Sequence, residues 1–556
     1  MLLSSCANQQ APGGGPVDVV PPRIIATDPP NNTVNFRDDR IVMELDKYVD
    51  QRSFNESVFI SPHVSNLEFD WSGRSVEISF GEPLRPFTTY VVNVGTDVVD
   101  LNNRNRMAHA FTLAFSTGPD VDHGGIEGRI FPLRPDDPLT GVMIFAYRLD
   151  GRDADTLNPE KVQPDFVTQT GDGGAFALTH IPFGSYRVLA VRDEYRNLVY
   201  DPEADQFAVP SGPIVITPED TLRTDLFLAM SREDTTAPRL IRAESPERNH
   251  IALTFSESVV LDRAGGARAE VADTVTGRAL GVRSFYQQTT PATTAMVVTD
   301  TQDSTVFYRV TVAGVRDSAG NAISSLASSI VVQGSGRRDT LAPRLAGISL
   351  TDSARSVDAS PQIALTFSDA VVIAHPEEVV QLTDATGRAV RLTVRTLDPA
   401  RLDVEPSLPL VPLSWYRLTV RLDSIRTWNG GRLQDSLRIV HFRTFDPDDR
   451  SSIDGKVLDR FRGDLPLRYM VRAMRVARNQ RGEETVRTDS SGNFSFQNIP
   501  EGEYVLQAFL DANGNGIYDA GRPQPFRASE RLSALTDTLR LRARWPLDGV
   551  LIRFPR

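Results

Sequence analysis

The chain has 556 residues, 40% hydrophobic and 24% charged, with a formal net charge of −12. That length exceeds what one hydrophobic core can organise and implies about four or five domains at roughly 100–200 residues each. The acidic balance argues against nucleic acid as a partner, which calls for a basic face, and no run of about 18 apolar residues follows the N-terminus to span a bilayer.

Residues 1–20 read as an anchor and a tether. Cys6 is the single cysteine, so no internal disulfide and no thiolate metal site can form. Leu3-Ser4-Ser5-Cys6 resembles the lipobox of bacterial lipoproteins: an apolar residue, two small ones, then the cysteine that takes the lipid. A signal peptide needs a charged start and an apolar stretch of about 7–15 residues. Only five residues precede Cys6, so the expectation is a start codon placed too late, the alternative a chance match and a free thiol. Gln9–Val19, rich in proline and glycine, has the composition of a flexible tether.

Residues 21–120 open with Pro22-Arg23 and continue into Ile41-Val42-Met43-Glu44-Leu45-Asp46, apolar at every second position. Period two is the mark of a β-strand with one buried face. The same beat returns strictly as Ile251-Ala252-Leu253-Thr254-Phe255-Ser256 and Ile363-Ala364-Leu365-Thr366-Phe367-Ser368, each after its own Pro-Arg pair. Downstream of each copy comes a strand with a tyrosine (Tyr90, Tyr308, Tyr416), then a turn of Asp, Asn and Gly, clearest as Asp317–Asn321. Such residues tolerate left-handed backbone angles or bond their own backbone. Closing strands follow at Phe111–Gly118 and Ile439–Phe445, whereas Ile330–Gly334 ends the middle copy without an aromatic. The paired prolines, Phe255-Ser256-Glu257, the Asp317–Asn321 turn and Phe115-Ser116-Thr117-Gly118 resemble the bacterial Ig-like domain of S-layer proteins of the SbsA type. The resemblance covers residues 21–120, 236–334 and 340–446 and implies two-sheet sandwiches.

A second repeat fills residues 122–231 and 450–556. Thr170–Asp201 aligns without a gap on Thr488–Asp519, and Ile126–Ile130 pairs with Ile453–Val457. The pattern is strand, Gly-rich turn, strand, Pro-Gly turn and a long strand, with a last strand in the C-terminal tail. Gly-x-Phe and Pro-x-Gly-x-Tyr, here Ile181-Pro182-Phe183-Gly184-Ser185-Tyr186 and Ile499-Pro500-Glu501-Gly502-Glu503-Tyr504, resemble the carboxypeptidase regulatory-like, or Cna-B-like, sandwich. The expected fold class is therefore all-β, a tandem array of five β-sandwiches. Short polar linkers favour an extended rod.

The strongest site signal is Asp511-Ala512-Asn513-Gly514-Asn515-Gly516-Ile517-Tyr518-Asp519. Oxygens of Asp511, Asn513, Asn515 and Asp519, with the Ile517 carbonyl and a glycine at position six, match the start of an EF-hand-type calcium loop. Position twelve is Arg522, not the bidentate glutamate, so two carboxylates remain and affinity belongs to the extracellular range, roughly 10⁻⁴–10⁻³ M. A metal-free Asn-Gly turn is the equal alternative. The earlier copy keeps Asp193 and Asp201 but has Tyr195 and Leu198 at Asn513 and Gly516, and is expected not to bind.

The seven histidines show no metal-ligand spacing and read as solvated. No Gly-x-Ser-x-Gly elbow or Walker loop occurs. Asp136-Asp137, Glu377-Glu378 and Asp448-Asp449 read as solvated loops rather than converging acids. Trp71 and Trp415 suit sandwich cores, and Trp428 an exposed turn. The expected function is a non-enzymatic, lipid-anchored outer-membrane protein of the bacterial envelope, on its periplasmic or surface side, presenting a rod as spacer or interaction surface. The alternatives are an adhesin-like binder of an envelope or extracellular protein or glycan, aided by calcium, and an accessory subunit of an envelope hydrolase.

Overall fold

The computed structural model describes residues 17–133, 137–152, 156–261, 266–287, 292–338, 342–427, 431–459, 468–476 and 482–554. Cys6, Asp136 and Trp428 lie outside the described residues. Strands dominate. Among the described residues, α-helix is confined to two short turns, Gln51–Asn55 and Pro376–Val379.

The recurring strand forms at Arg40–Leu45, His250–Phe255 and Ile363–Phe367. Ile41, Met43 and Leu45 are buried, as are Ile251, Leu253 and Phe255, and Ile363, Leu365 and Phe367. Each strand lies inside a four-stranded sheet, antiparallel to both neighbours, so one face has to meet a second sheet. That sheet carries the tyrosine strands Thr89–Val94, Phe307–Ala313 and Trp415–Arg421.

A buried phenol needs a partner for its oxygen. Tyr90, Tyr308 and Tyr416 each accept a backbone N–H from five residues upstream: Arg85 at 2.7 Å, Asp303 at 2.9 Å and Val411 at 2.9 Å. Tyr90 stacks on Phe115 and Tyr416 on Phe442. The middle copy sets Val332 opposite Tyr308, which accounts for its missing aromatic.

Residues 124–232 and 450–554 hold two further cores. In each, a late strand returns parallel to the first: Leu222–Ala229 beside Gly124–Phe131, and Leu547–Arg553 beside Arg450–Leu458. Gly128 and Gly455 make that return possible. A β-carbon at either would lie 2.1 Å from the Leu226 carbonyl oxygen or 2.3 Å from that of Val550. Tyr186 donates to the Pro182 carbonyl at 2.6 Å and Tyr504 to that of Pro500 at 2.7 Å, so the Pro-x-Gly-x-Tyr pattern is a hydrogen-bonded corner.

The extended rod is not what forms. The chain doubles back, and the last unit packs on the second. Phe131 and Ala229 share a buried cluster with Phe509, Leu532 and Ala534. Phe526 joins another cluster of the second unit, to which Phe59 of the first also packs, and the Arg187 guanidinium lies 4.0 Å over the Phe526 ring. Arg522 pairs with Glu233 at 2.6 Å.

The cause is strands that are apolar on both faces. Ile144 and Ala146 enter their own core while Met143, Phe145 and Tyr147 enter the second cluster. Leu506 and Ala508 point inward while Phe509 points to the neighbour. A sheet with two apolar faces has to cover both. The third and fourth units also touch, through Tyr286, Met296 and Val298 against Ala370 and Ala400.

Candidate functional site

Asp511 follows the strand Gly502–Leu510 and is buried. Its Oδ1 accepts the N–H of Gly514 at 2.7 Å and of Asn515 at 3.0 Å; Oδ2 accepts that of Gly516 at 3.1 Å. Gly514 and Gly516 sit at φ +78° and +76°, the left-handed region that glycine enters at least cost. Asn513 and Asn515 donate their side-chain amides to Asp519 Oδ2 at 2.6 and 3.4 Å. Their oxygens accept the N–H of Asn515 and Ile517.

Asp511, Asn513, Asn515 and Asp519 thus close one ring by amide–carboxylate hydrogen bonds, while the Ile517 side chain is exposed. Arg522 turns away to Glu233. The sequence reading missed Glu530. Its Oε1 accepts the N–H of Ala512 at 2.7 Å and its Oε2 that of Asp519 at 3.2 Å. Burial first, then the negative charges of Asp519 and Asp511, pushes its carboxyl up. Glu530 lies beyond the span of any loop motif, so spacing carried no signal for it.

The earlier copy folds the same way. Asp193 accepts from Asn197 and Leu198, Asn197 donates to Asp201 at 2.9 Å, and Asp205 accepts from Glu194 and Asp201 as Glu530 does from Ala512 and Asp519. Asp205 is fully buried, and burial pushes its carboxyl up to about 6. Arg196 and Leu198 take the left-handed angles that glycines take in the later copy. Loop shape therefore comes from the acid at its centre, and the later copy differs by placing Asn513 where Tyr195 stands.

A second acidic group arises from three separate segments. Asp234, Glu257 and Asp317 bring their carboxylates within 4.8 Å of one another, the one group of three potential metal-binding side chains that close among the described residues. Glu257 is pushed up, by burial first and then by Asp234 and Asp317.

His250 departs from the expectation of solvated histidines. It is 5% exposed, with Nε2 3.3 Å from Asp369 Oδ1 and Nδ1 3.1 Å from Glu247 Oε2. Tyr286 donates to the same Asp369 oxygen at 3.0 Å. The group spans the third and fourth units. Burial opposes ionisation of Asp369, but the hydrogen bond and charge of His250, with the Ala370 N–H and the Tyr286 hydroxyl, outweigh it and hold the carboxyl below the ordinary range.

Trp415 is 39% exposed, not core, because Tyr416, Leu418 and Val420 take the inward positions of its strand. Trp71 is partly buried, edge-on to Phe54 at 5.1 Å. Glu377 and Glu378 are exposed, and Asp448 pairs with Arg544 at 2.6 Å, also exposed. No described helix is long and apolar enough to cross a membrane.

Similar solved structures include the N-terminal part of the bacterial S-layer protein SbsC, at 16% identity over 37% of this chain and 44% of that one, with a TM-score of 0.16. The chain thus spans less than half of that fragment. The major pilin subunit BcpA of Bacillus cereus matches at 8% identity over 78% and 100%, TM-score 0.14. An L,D-transpeptidase from Mycobacterium tuberculosis matches at 14% over 38% and 89%, TM-score 0.16. No curated protein matches the chain. Two stretches, residues 18–117 and 339–444, match the bacterial Ig-like domain family, and they hold the first and fourth cores.

Proposed function

We propose that the chain is a non-enzymatic, lipid-anchored protein of the bacterial cell envelope, whose β-sandwich array serves as a spacer and an interaction surface. The observation that carries this reading is the order of parts: Cys6 in a lipobox-like setting, a Pro- and Gly-rich tether, and then an all-β array with bacterial Ig-like domains. A lipid on Cys6 places the array at a membrane surface, in this reading the outer membrane. With Cys6→Ala, expressed from the native locus, the protein should move from the membrane fraction to the soluble fraction. Unchanged retention in membranes would remove the anchor from this reading.

A second reading, a calcium-assisted binder of a protein or glycan, is favoured by the ring at Asp511, Asn513, Asn515 and Asp519 with Glu530 behind it. In this reading the Ile517 carbonyl completes the oxygen set. Millimolar calcium should then raise the melting temperature, and Asp511→Ala should remove that part of the rise which the ring supplies. A rise identical in both proteins would count against calcium at this loop.

A further inference from the structure

Asp234 lies in the linker after Ser231–Arg232, Glu257 follows the strand His250–Phe255, and Asp317 ends the strand Val315–Asp317. The first unit contains the corresponding place, held by matching hydrogen bonds. The N–H of Arg23 meets Asp46 Oδ1 at 2.8 Å, as that of Arg239 meets Ser256 Oγ at 3.0 Å. Asn105 donates its amide to the Asp18 carbonyl at 2.9 Å and to Asp100 Oδ2 at 2.8 Å. Asn321 does the same to the Asp234 carbonyl at 2.7 Å and to Asp317 Oδ2 at 2.8 Å. Asp100 stands opposite Val49 as Asp317 stands opposite Val259. Asp18, Lys47 and Asp100 therefore correspond to Asp234, Glu257 and Asp317.

The first copy holds a cation. The Lys47 ammonium sits 2.6 Å from Asp18 Oδ2 and 3.8 Å from Asp100 Oδ2. In the third unit a glutamate replaces that lysine, so the two aspartates lose their counter-charge and gain a third carboxylate. Like charges this close repel unless a proton or a cation joins them.

We propose that Asp234, Glu257 and Asp317 bind a hard divalent cation of the calcium class, which takes the place of the Lys47 ammonium and ties the linker to the third unit. Two carboxylates with one ammonium leave one net negative charge; three carboxylates with a divalent ion leave the same. The donors are all oxygen, as calcium prefers, and Asp234 is exposed, which leaves a path for the ion. Asp317 is already oriented by the N–H and the amide of Asn321. The fourth unit lacks the arrangement: Thr427 stands opposite Val371, and Asp369 is taken by His250 and Tyr286.

The test is a titration of the full chain, stripped with EDTA, with calcium alone, read by calorimetry for stoichiometry and by thermal melting. Glu257→Lys rebuilds the arrangement of the first unit. It should fold, bind one calcium fewer than the parent, and melt in EDTA above the EDTA-stripped parent. Asp234→Asn, at an exposed position, should weaken the same site by about tenfold or more. That site should persist in Asp511→Ala, which separates it from the ring in the last unit. Calcium stoichiometry and affinity unchanged in both Glu257→Lys and Asp234→Asn would overturn the proposal.

Discussion

Phe509→Asp should detach the last unit from the second and open the molecule, seen as a larger radius of gyration in solution scattering and as faster cleavage around residues 518–530. Phe509 is 2% exposed and packs among Phe131, Ala229, Leu532 and Ala534, with the Tyr518 ring 5.7 Å away. Truncating a buried phenylalanine costs about 3–5 kcal/mol, and an aspartate adds an unpaired charge to an apolar pocket. The loss falls on the contact rather than on the fold of the last unit, because that unit's own core uses Leu506 and Ala508 from the same strand. Phe509→Ala should act in the same direction, more weakly. A folded Phe509→Asp protein with the scattering profile of the parent would show that the two units do not hold each other.

Asp369→Ala should loosen the junction of the third and fourth units by about 3–5 kcal/mol, the range for removing one partner of a buried ion pair. It removes the Asp369 partner of His250 and deprives the Tyr286 hydroxyl of its acceptor. The effect has a definite pH dependence. The Asp369 carboxyl is held below the ordinary aspartate range in the folded chain, so its contribution is complete above the unfolded value of about 3.9 and disappears as pH falls through the lower folded value. The difference in melting temperature between parent and Asp369→Ala should be largest near neutral pH and shrink below about pH 4. A difference that stays constant down to pH 2 would mean that the carboxylate's charge contributes nothing to the junction.

Much of the fold was legible in local pattern. Ile251, Leu253 and Phe255 alternate because a strand has two faces, and no tertiary information is needed to see which one is buried. The recurring tyrosines and the Pro-x-Gly-x-Tyr corners were visible as repeats, although the bonds that explain them, to Arg85, Asp303, Val411, Pro182 and Pro500, are not written in spacing. The doubling-back had a signal that went unread. Val142-Met143-Ile144-Phe145-Ala146-Tyr147 is a continuous apolar run, and a strand of that kind is buried on both faces. Short linkers alone favour a rod, but covering that second apolar face brings the last unit back onto the second.

By itself, the sequence determined the all-β class, the two interleaved repeat patterns and the local ring from Asp511 to Asp519, because each depends on residues within one or two turns of one another. The tertiary structure alone decided which distant charges meet. Glu530 behind the Asp511 ring, Asp369 against His250, and Asp234 beside Glu257 and Asp317 are each brought together by strand pairing or by packing between units. The physical reason is that a sandwich places loops from remote parts of the chain at one end, where carboxylates interact through a few ångströms of space whatever their distance in sequence.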